Sequence, residues 1–105
     1  MNLEKYLPLT ETTYYILLSL LEPGYGYAVM QKAEELSGGR VRIAAGTMYG
    51  ALDNLLRQKL IASVPSSDPR RKMYRITAEG ARVLQLESHR LKHMIDIYNK
   101  IRGDE

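Results

Sequence analysis

Four cations lie close together in the second half of the chain. They are Arg70, Arg71, Lys72 and Arg75. Within residues 65–76 they stand against a single acid, Asp68, so this segment has a local excess of three positive charges, equal to the net charge of +3 of all 105 residues. Clustered guanidinium and ammonium groups are what the phosphates of a nucleic acid bind. The pattern indicates a polyanion-binding segment; a solvated surface cluster is the competing interpretation.

Other reactive side chains form no pattern of equal weight. His89 and His93 are four residues apart, a spacing that suits a divalent metal, yet only Glu87 and Asp96 are near, and two surface histidines fit as well. The chain contains no cysteine, and its serines and threonines lack a basic partner for nucleophilic catalysis. We therefore predict no enzyme, no metal and no cofactor. Without a secretion signal or a membrane-spanning apolar run, we expect a cytoplasmic protein with no membrane partner.

A helix predicted from about Ala45 to Lys59 precedes the basic segment. Its inward positions are Met48, Ala51, Leu52, Leu55 and Leu56, and its opposite face presents Thr47, Gly50, Asn54 and Arg57. Thr47 and Asn54 suit hydrogen bonding to base edges, and Gly50 would permit close backbone approach. The alternatives are a local hydrogen bond for Thr47 and a plain surface role for Asn54. Tyr49 flanks this face and is suited either to phosphate or to core packing.

Two helices and a short strand are predicted upstream. The first helix starts at Thr10 and ends at Glu22-Pro23-Gly24, because proline resists helix continuation and glycine accepts a positive φ. The second runs from Gly26 to Leu36 and is stopped by Ser37-Gly38-Gly39. Polar and apolar residues then alternate over 40–43, which predicts a half-buried strand.

Downstream, a β-hairpin and a long helix are predicted. Residues 60–64 and 72–76 form the two strands, and the turn 65–69 is rich in Ser, Pro and Asp. Thr77 is placed to cap a helix from Ala78 to about Arg102. At ~1.5 Å per residue that helix spans roughly 35–40 Å, longer than so small a domain can cover.

The final helix carries an apolar row that indicates a second chain. The residues of this row follow heptad spacing, and Glu87 is the one polar residue at such a position. The apolar members are Leu84, Leu91, Met94, Tyr98 and Ile101. We predict a homodimer whose interface consists of Tyr14, Leu84, Leu91, Met94, Ile95, Tyr98 and Ile101. Residues 1–77 would then form the DNA-binding part and residues 78–105 the dimerisation helix of one compact unit.

The order of these elements describes a winged helix-turn-helix, mainly α with a small β-hairpin and a C-terminal dimerisation helix. The residues also resemble the PadR-type transcription regulators, in the class with one final helix. The matching stretches are Leu17–Pro23 with Gly26-Tyr27, Gly46–Leu52, and Arg70–Thr77 leading to Glu79-Gly80. Together they cover roughly residues 12–82.

The resemblance implies a homodimer that binds an inverted repeat in double-stranded DNA, usually as a repressor. Some members of the family release DNA when a flat aromatic compound binds between the subunits. A cavity lined by Tyr14, Tyr15, Met94 and Tyr98 would suit such an effector, although these side chains equally suit a core.

Several positions depart from the family pattern. Tyr25 stands where a histidine is frequent; its hydroxyl can donate to a phosphate but carries no charge. Ala44-Ala45 replaces a capping serine and a proline. Asp53 would repel phosphate, and there is no tryptophan for a stacking cavity. We therefore expect the wing, which is the β-hairpin of residues 60–76, to supply most of the affinity and the third helix the selectivity. The alternative function is a winged-helix protein-interaction module that does not bind DNA.

Overall fold

The computed structural model describes residues 2–103 and contains four helices and three strands. A short 3-10 turn at Leu3–Tyr6 comes first. The helices are α1 (Glu11–Ser19), α2 (Gly26–Leu36), α3 (Ala45–Arg57) and α4 (Ala78–Arg102), and the strands are β1 (Gly24–Tyr25), β2 (Ile61–Val64) and β3 (Met73–Ile76). Met1, Asp104 and Glu105, the outer ends of the predicted segments 1–77 and 78–105, lie outside the described residues. The predicted class, a mainly helical winged helix-turn-helix with a small hairpin, is confirmed.

The strand predicted at residues 40–43 is absent, and this prediction was wrong. Val41 and Ile43 are buried while Arg40 and Arg42 are exposed, so the alternation of burial is real. The segment nevertheless pairs with no strand, because β1 occupies the edge of β3 that faces away from β2. The sheet order is therefore β1-β3-β2, and both pairings are antiparallel.

Two helices end earlier than predicted. α1 stops at Ser19, whose hydroxyl donates to the Tyr15 carbonyl within the last turn. α3 stops at Arg57, and Lys59 has a positive φ of 62°. The Leu60 N–H then reaches back to the Leu55 carbonyl over 3.0 Å, which closes the helix end in the manner of a Schellman motif. The bounds of α2 and α4 are as predicted.

One hydrophobic core joins the helices to the inner face of the hairpin. Its members come from every helix, from residues 41–43 and from β2 and β3: Ile16, Leu17, Leu20, Val29, Ala33, Val41, Ile43, Met48, Leu52, Leu55, Leu60, Ile61, Tyr74, Val83 and Leu84. Apolar burial of this kind is the main favourable term in folding. In β3 the buried Tyr74 alternates with the exposed Arg75, so the hairpin packs one face on the helices.

The start of α4 lies unusually close to the hairpin. The Thr77 hydroxyl accepts from the Gly80 N–H at 3.0 Å and donates to the Lys59 carbonyl at 2.8 Å. A Cβ atom on Gly80 would overlap the Leu60 carbonyl oxygen. Glycine at this position is therefore required for the approach, which fixes the direction in which α4 leaves the domain.

The second half of α4 extends away from the core. Every residue from Leu91 to Tyr98 is exposed, and the described chain is 54 Å long in its largest dimension. Among the described residues, no helix is both long and apolar enough to cross a membrane.

Candidate nucleic-acid interface

The outer face of α3 is open. Met48, Leu52 and Leu55 anchor the helix in the core, which turns the predicted DNA-facing residues outward. The residues on this exposed side are Thr47, Gly50, Asp53, Asn54 and Arg57. A Cβ atom on Gly50 would meet nothing within 4 Å, so the helix surface is unobstructed there. The Asn54 side-chain oxygen accepts from the Arg57 guanidinium at 3.1 Å, which joins two of the predicted DNA contacts.

The first turn of α3 has no side-chain cap. Ala44 occupies the N-cap position with an extended backbone and makes no side-chain hydrogen bond. The departure from the usual capping residue that the sequence indicated therefore leaves the first backbone N–H groups of α3 without that partner.

The tip of the wing is organised by Asp68. Its carboxylate accepts from the Arg70 N–H at 3.0 Å, and its carbonyl accepts from the Arg71 N–H at 3.0 Å. The strands end just below, at the pair Val64 and Met73. Arg70 and Arg71 are thus held in a defined turn, and all three predicted cations at positions 70 to 72 are exposed.

Tyr25 connects this tip to the helix-turn-helix. The Arg71 guanidinium lies over the Tyr25 ring, 3.9 Å from its centroid. The hydroxyls of Tyr25 and Ser66 are 3.1 Å apart and form a hydrogen bond. The pKa of Tyr25 is lowered, mainly by hydrogen bonds from Ser66 and Ser67 and further by the charge of Arg71. The histidine-to-tyrosine departure therefore places an aromatic ring beneath a wing cation.

A cleft of about 400 Å³ lies between the wing and α3. It brings several predicted site residues together with residues that the sequence did not single out: Tyr25, Gly26, Tyr27, Tyr49, Asp53, Arg70, Arg71, Lys72 and Tyr74. Asp53 thus faces the same space as the wing cations. Burial, reinforced by the charge of Asp53, raises the pKa of Tyr74 at the cleft floor.

Not every predicted residue reaches the cleft. Thr47, Gly50, Asn54 and Arg57 lie elsewhere on the exposed surface of α3. Arg75 is opposite Ala62 in the hairpin, on the face of β3 that points away from the core. The surface therefore has two parts, a cationic cleft and an open helix face.

Tyr49 is placed by a glycine in α2. A Cβ atom on Gly26 would lie 2.9 Å from the Tyr49 ring, so a side chain at position 26 would displace this ring. Tyr49 is nevertheless 48 % exposed. The ring thus packs on α2 while part of the residue faces solvent, and a contact of its hydroxyl with phosphate stays a prediction.

The predicted dimer residues separate into two groups. Leu84 is buried in the protomer's own core, and the Tyr14 hydroxyl bonds to the Ser88 hydroxyl of α4 over 2.8 Å. The other predicted dimer residues are large, apolar and exposed. Ile97, which was not predicted, joins this group. They are Leu91, Met94, Ile95, Ile97, Tyr98 and Ile101.

Glu87, the polar exception in the apolar row, is a buried ion-pair partner. Its carboxylate is bonded to the Arg90 guanidinium and accepts from the Leu9 N–H at 2.7 Å. Hydrogen bonding from Arg90 lowers the pKa of Glu87; burial opposes the shift and the Leu9 N–H adds to it. A charged residue at a core-facing heptad position was the available sequence signal, but its partner could not be inferred from it.

Beside Glu87, a cleft of about 350 Å³ separates the N-terminal segment and α1 from α4. It is lined by Leu9, Thr10, Glu11, Tyr14, Tyr15, Glu87 and Leu91. Tyr14 and Tyr15 meet there, as the effector hypothesis requires, whereas Met94 and Tyr98 do not line it. Within residues 2–103, no group of three or more metal-binding side chains accompanies His89 and His93.

Known structures share this architecture. A PadR family transcriptional regulator from Eggerthella lenta is 32 % identical, with 89 % of this chain and 82 % of that chain covered and a TM-score of 0.70. A PadR-like transcription factor from Bacteroides fragilis is 25 % identical, with coverages of 86 % and 87 % and a TM-score of 0.68. RosR of H. salinarum is 27 % identical, with coverages of 87 % and 78 % and a TM-score of 0.65.

A comparison with curated proteins returns no match. The profile of the transcriptional regulator PadR-like family matches residues 16–86, more than half of the 105 residues. This stretch includes both parts of the surface described above, the wing and α3. The family consists of DNA-binding regulators and not of enzymes. The chain therefore belongs to the PadR-like family of transcriptional regulators.

Proposed function

We propose that this protein is a homodimeric repressor that occupies an inverted-repeat operator in double-stranded DNA. The observation that carries the proposal is the cleft in which Arg70, Arg71 and Lys72 of the wing face the exposed side of α3. Two copies of α3 would enter successive major grooves while the wings contact the flanking backbone. RNA polymerase would then be excluded from the promoter.

The two parts of the surface contribute differently. Phosphate contacts supply affinity and position the protein, whereas base edges supply the selectivity. The wing cations and Arg75 are suited to phosphates, and Thr47 and Asn54 are suited to base edges. Gly50 leaves the surface of α3 open for close approach. Tyr49 and Arg57 border this surface and would contact the phosphate backbone of the DNA.

The exposed apolar side of α4 supports the dimer. Six large apolar residues on its last turns lie within a sector of about 160°, at 100° per residue. This sector is wider than the seam of a simple two-stranded coiled coil, so it fits contact with more than one element of a second copy. The proposed interface consists of Leu91, Met94, Ile95, Tyr98 and Ile101, with Ile97 added. Leu84 and Tyr14 support it from within the protomer.

A footprint on the protein's own promoter region tests the operator arrangement. Hydroxyl-radical cleavage should show two protected patches whose centres lie about 10 base pairs apart or at a multiple of that distance. In vitro transcription from the same promoter should fall as the footprint appears. A single isolated patch, or transcription that rises with occupancy, would contradict the dimeric repressor.

We further propose that a flat aromatic effector binds beside α4. The cleft near Glu87 has a suitable size and two tyrosines on its wall. Planar aromatic compounds should dissociate the protein from operator DNA. Tyr15→Ala should raise the concentration of compound that this dissociation requires. Leu36→Ala, which alters an exposed leucine outside both this cleft and the cationic cleft, is the control. An equal response of both variants would contradict this effector site.

The protein-interaction alternative rests on Asp53 and on the modest net charge. Family membership favours DNA binding, and the cations of the wing outnumber the nearby carboxylates of Asp53 and Asp68. The two functions differ in their dependence on salt, because phosphate contacts release counterions and protein contacts do not.

A further inference from the structure

We propose that Tyr25 is a positioning residue that holds the wing and Arg71 ready for DNA, instead of contacting a phosphate itself. The inference rests on the proposed DNA-binding function of the wing. It concerns how that wing is kept in place, which the charge of its residues alone does not determine.

The backbone of Tyr25 is fixed from two sides. Tyr25 pairs with Met73 in the sheet and occupies the N-cap position of α2. Its Cα position is therefore determined by the helix-turn-helix and by the base of the wing together. Its side chain extends from this point to the tip of the hairpin, where the other hydrogen bonds of the polar turn among residues 2–103 are local.

The ring of Tyr25 supports the Arg71 guanidinium. The 3.9 Å separation between the guanidinium carbon and the ring centroid is a cation–π contact. Stacking uses the flat face of the guanidinium and leaves the in-plane N–H groups available to donate to a phosphate. Among residues 2–103, Arg71 makes no ion pair that would compete.

The hydroxyl of Tyr25 is already used inside the wing. Ser66 Oγ lies 3.1 Å from the Tyr25 hydroxyl and 3.0 Å from the Asp68 carbonyl, and it accepts from the Asp68 N–H at 3.1 Å. Because Ser66 has only one proton, it cannot donate to both oxygens at once. When Ser66 donates to Asp68, the Tyr25 hydroxyl donates to Ser66; when Ser66 donates to Tyr25 instead, the Tyr25 oxygen accepts. In both arrangements the Tyr25 hydroxyl is engaged inside the wing.

Ordering of Arg71 before binding has a measurable consequence. Immobilising a flexible side chain on binding weakens affinity by a factor of about 2 to 12. A wing that lost its support should therefore bind DNA more weakly by roughly this factor. Arg71 would still reach its phosphate, so the dependence of affinity on salt should change little.

The first arm of the test needs no DNA. Trypsin cleaves after residues 70, 71 and 72, so its rate at the wing reports how often the tip opens. Tyr25→Leu should increase this rate several-fold, while the urea midpoint of the whole domain stays close to wild type. Tyr25→Phe keeps the ring and should increase the rate less. Unchanged cleavage in Tyr25→Leu overturns the proposal; if that variant does not fold, Ser66→Ala takes its place.

The second arm is a double-mutant cycle on affinity for duplex DNA. Tyr25→Leu and Arg71→Ala should be strongly non-additive, because Tyr25 acts through Arg71. Tyr25→Leu and Arg70→Ala should be additive, since Arg70 is a neighbouring cation that pairs with Asp68 and not with the ring. Additive behaviour in the Arg71 cycle overturns the proposal.

A direct phosphate contact by Tyr25 predicts a different pattern. Tyr25→Phe would then bind as weakly as Tyr25→Leu, and Ser66→Ala would bind as wild type; this result also overturns the proposal. If wild type shows no salt-dependent affinity for DNA, the proposed function fails instead. The proteolysis arm alone then decides whether Tyr25 holds the wing.

Discussion

At the scale of single residues, the carboxylate of Glu87 joins parts of the chain that are far apart in sequence. It is almost fully buried and binds both Arg90 on its own helix and the backbone of Leu9. A buried charge is stable only when it is paired and hydrogen-bonded. Glu87 therefore anchors the N-terminal segment to α4, next to the cleft proposed for the effector.

The stability of the protein should consequently depend on the ionisation of Glu87. Its pKa is lowered in the folded state, so its contribution is complete above the pKa of the unfolded chain and is lost as pH falls through the folded pKa. Glu87→Gln should lower the free energy of unfolding at pH 7 by about 1–3 kcal/mol. It should also reduce the loss of stability below about pH 4.5. Urea unfolding across this range measures both effects; a variant with the pH profile of wild type would contradict the assignment.

Asp53 should weaken binding to phosphate. Its carboxylate faces the cleft that contains the wing cations, and a second charge ~7 Å away in water contributes about 0.6 kcal/mol. Asp53→Asn should therefore bind non-specific duplex DNA about 3-fold more tightly. Fluorescence anisotropy at moderate salt measures this change. Glu35→Gln removes an exposed acid outside the cleft and should have no such effect; equal gains in both variants would indicate net charge alone.

At the scale of elements, two glycines illustrate opposite uses of a missing side chain. Gly80 allows the first turn of α4 to contact the backbone of Leu60, whereas Gly50 lies on an open helix face. The first is needed for the fold. The second meets no neighbouring atom within the protomer, so the surface there is free for the close approach of DNA that we propose.

The same substitution at the two positions should therefore have opposite effects. Gly80→Ala should destabilise by about 3 kcal/mol or more, because its Cβ has no room. Gly50→Ala should raise the free energy of unfolding by about 1 kcal/mol, as alanine favours helix, and should weaken operator binding if DNA approaches closely. Urea unfolding measures the stability of both variants, and operator titration measures the DNA affinity of Gly50→Ala. A Gly80→Ala variant as stable as wild type would contradict the close contact between Gly80 and the Leu60 carbonyl.

The elements were predictable where their signals are local. Thr77 caps α4 as its sequence position indicated, and the bounds of α2 followed from its flanking turns. The prediction of a strand at 40–43 was wrong because burial alternates there although no neighbouring strand edge is available for pairing. The partners of Tyr25 and Glu87 could not be predicted from the sequence either. Ser66 and Leu9 are distant in sequence, and only packing of the whole chain brings them close.

At the scale of the whole molecule, the protomer exposes an apolar surface, and its contact with water is unfavourable in free energy. The last turns of α4 expose six large apolar residues beyond the compact domain. A contiguous patch of this kind is typical of an interaction site. A second copy would cover it and would set the distance between two α3 helices, so the dimer and the operator spacing belong together.

Charge placed on this surface should separate the two protomers. Ile95→Lys with Ile101→Lys should give a monomer in analytical ultracentrifugation and should weaken binding to the full operator more than to a half-site. Leu36→Lys alters an exposed leucine on α2 and should remain dimeric. These substitutions are preferable to a chain ended after His89, which would lose Arg90 and leave Glu87 buried and unpaired. A dimeric lysine variant would contradict the proposed interface.

The salt dependence of operator affinity reports directly whether the cations of the wing bind DNA phosphates. Affinity for duplex DNA from the protein's own promoter should fall linearly on a logarithmic plot against salt concentration. Replacing Arg71 and Lys72 by alanine should reduce the slope by roughly one unit for each lost phosphate contact. A wild-type protein without salt-dependent affinity, or a double variant with an unchanged slope, would contradict DNA binding through the wing.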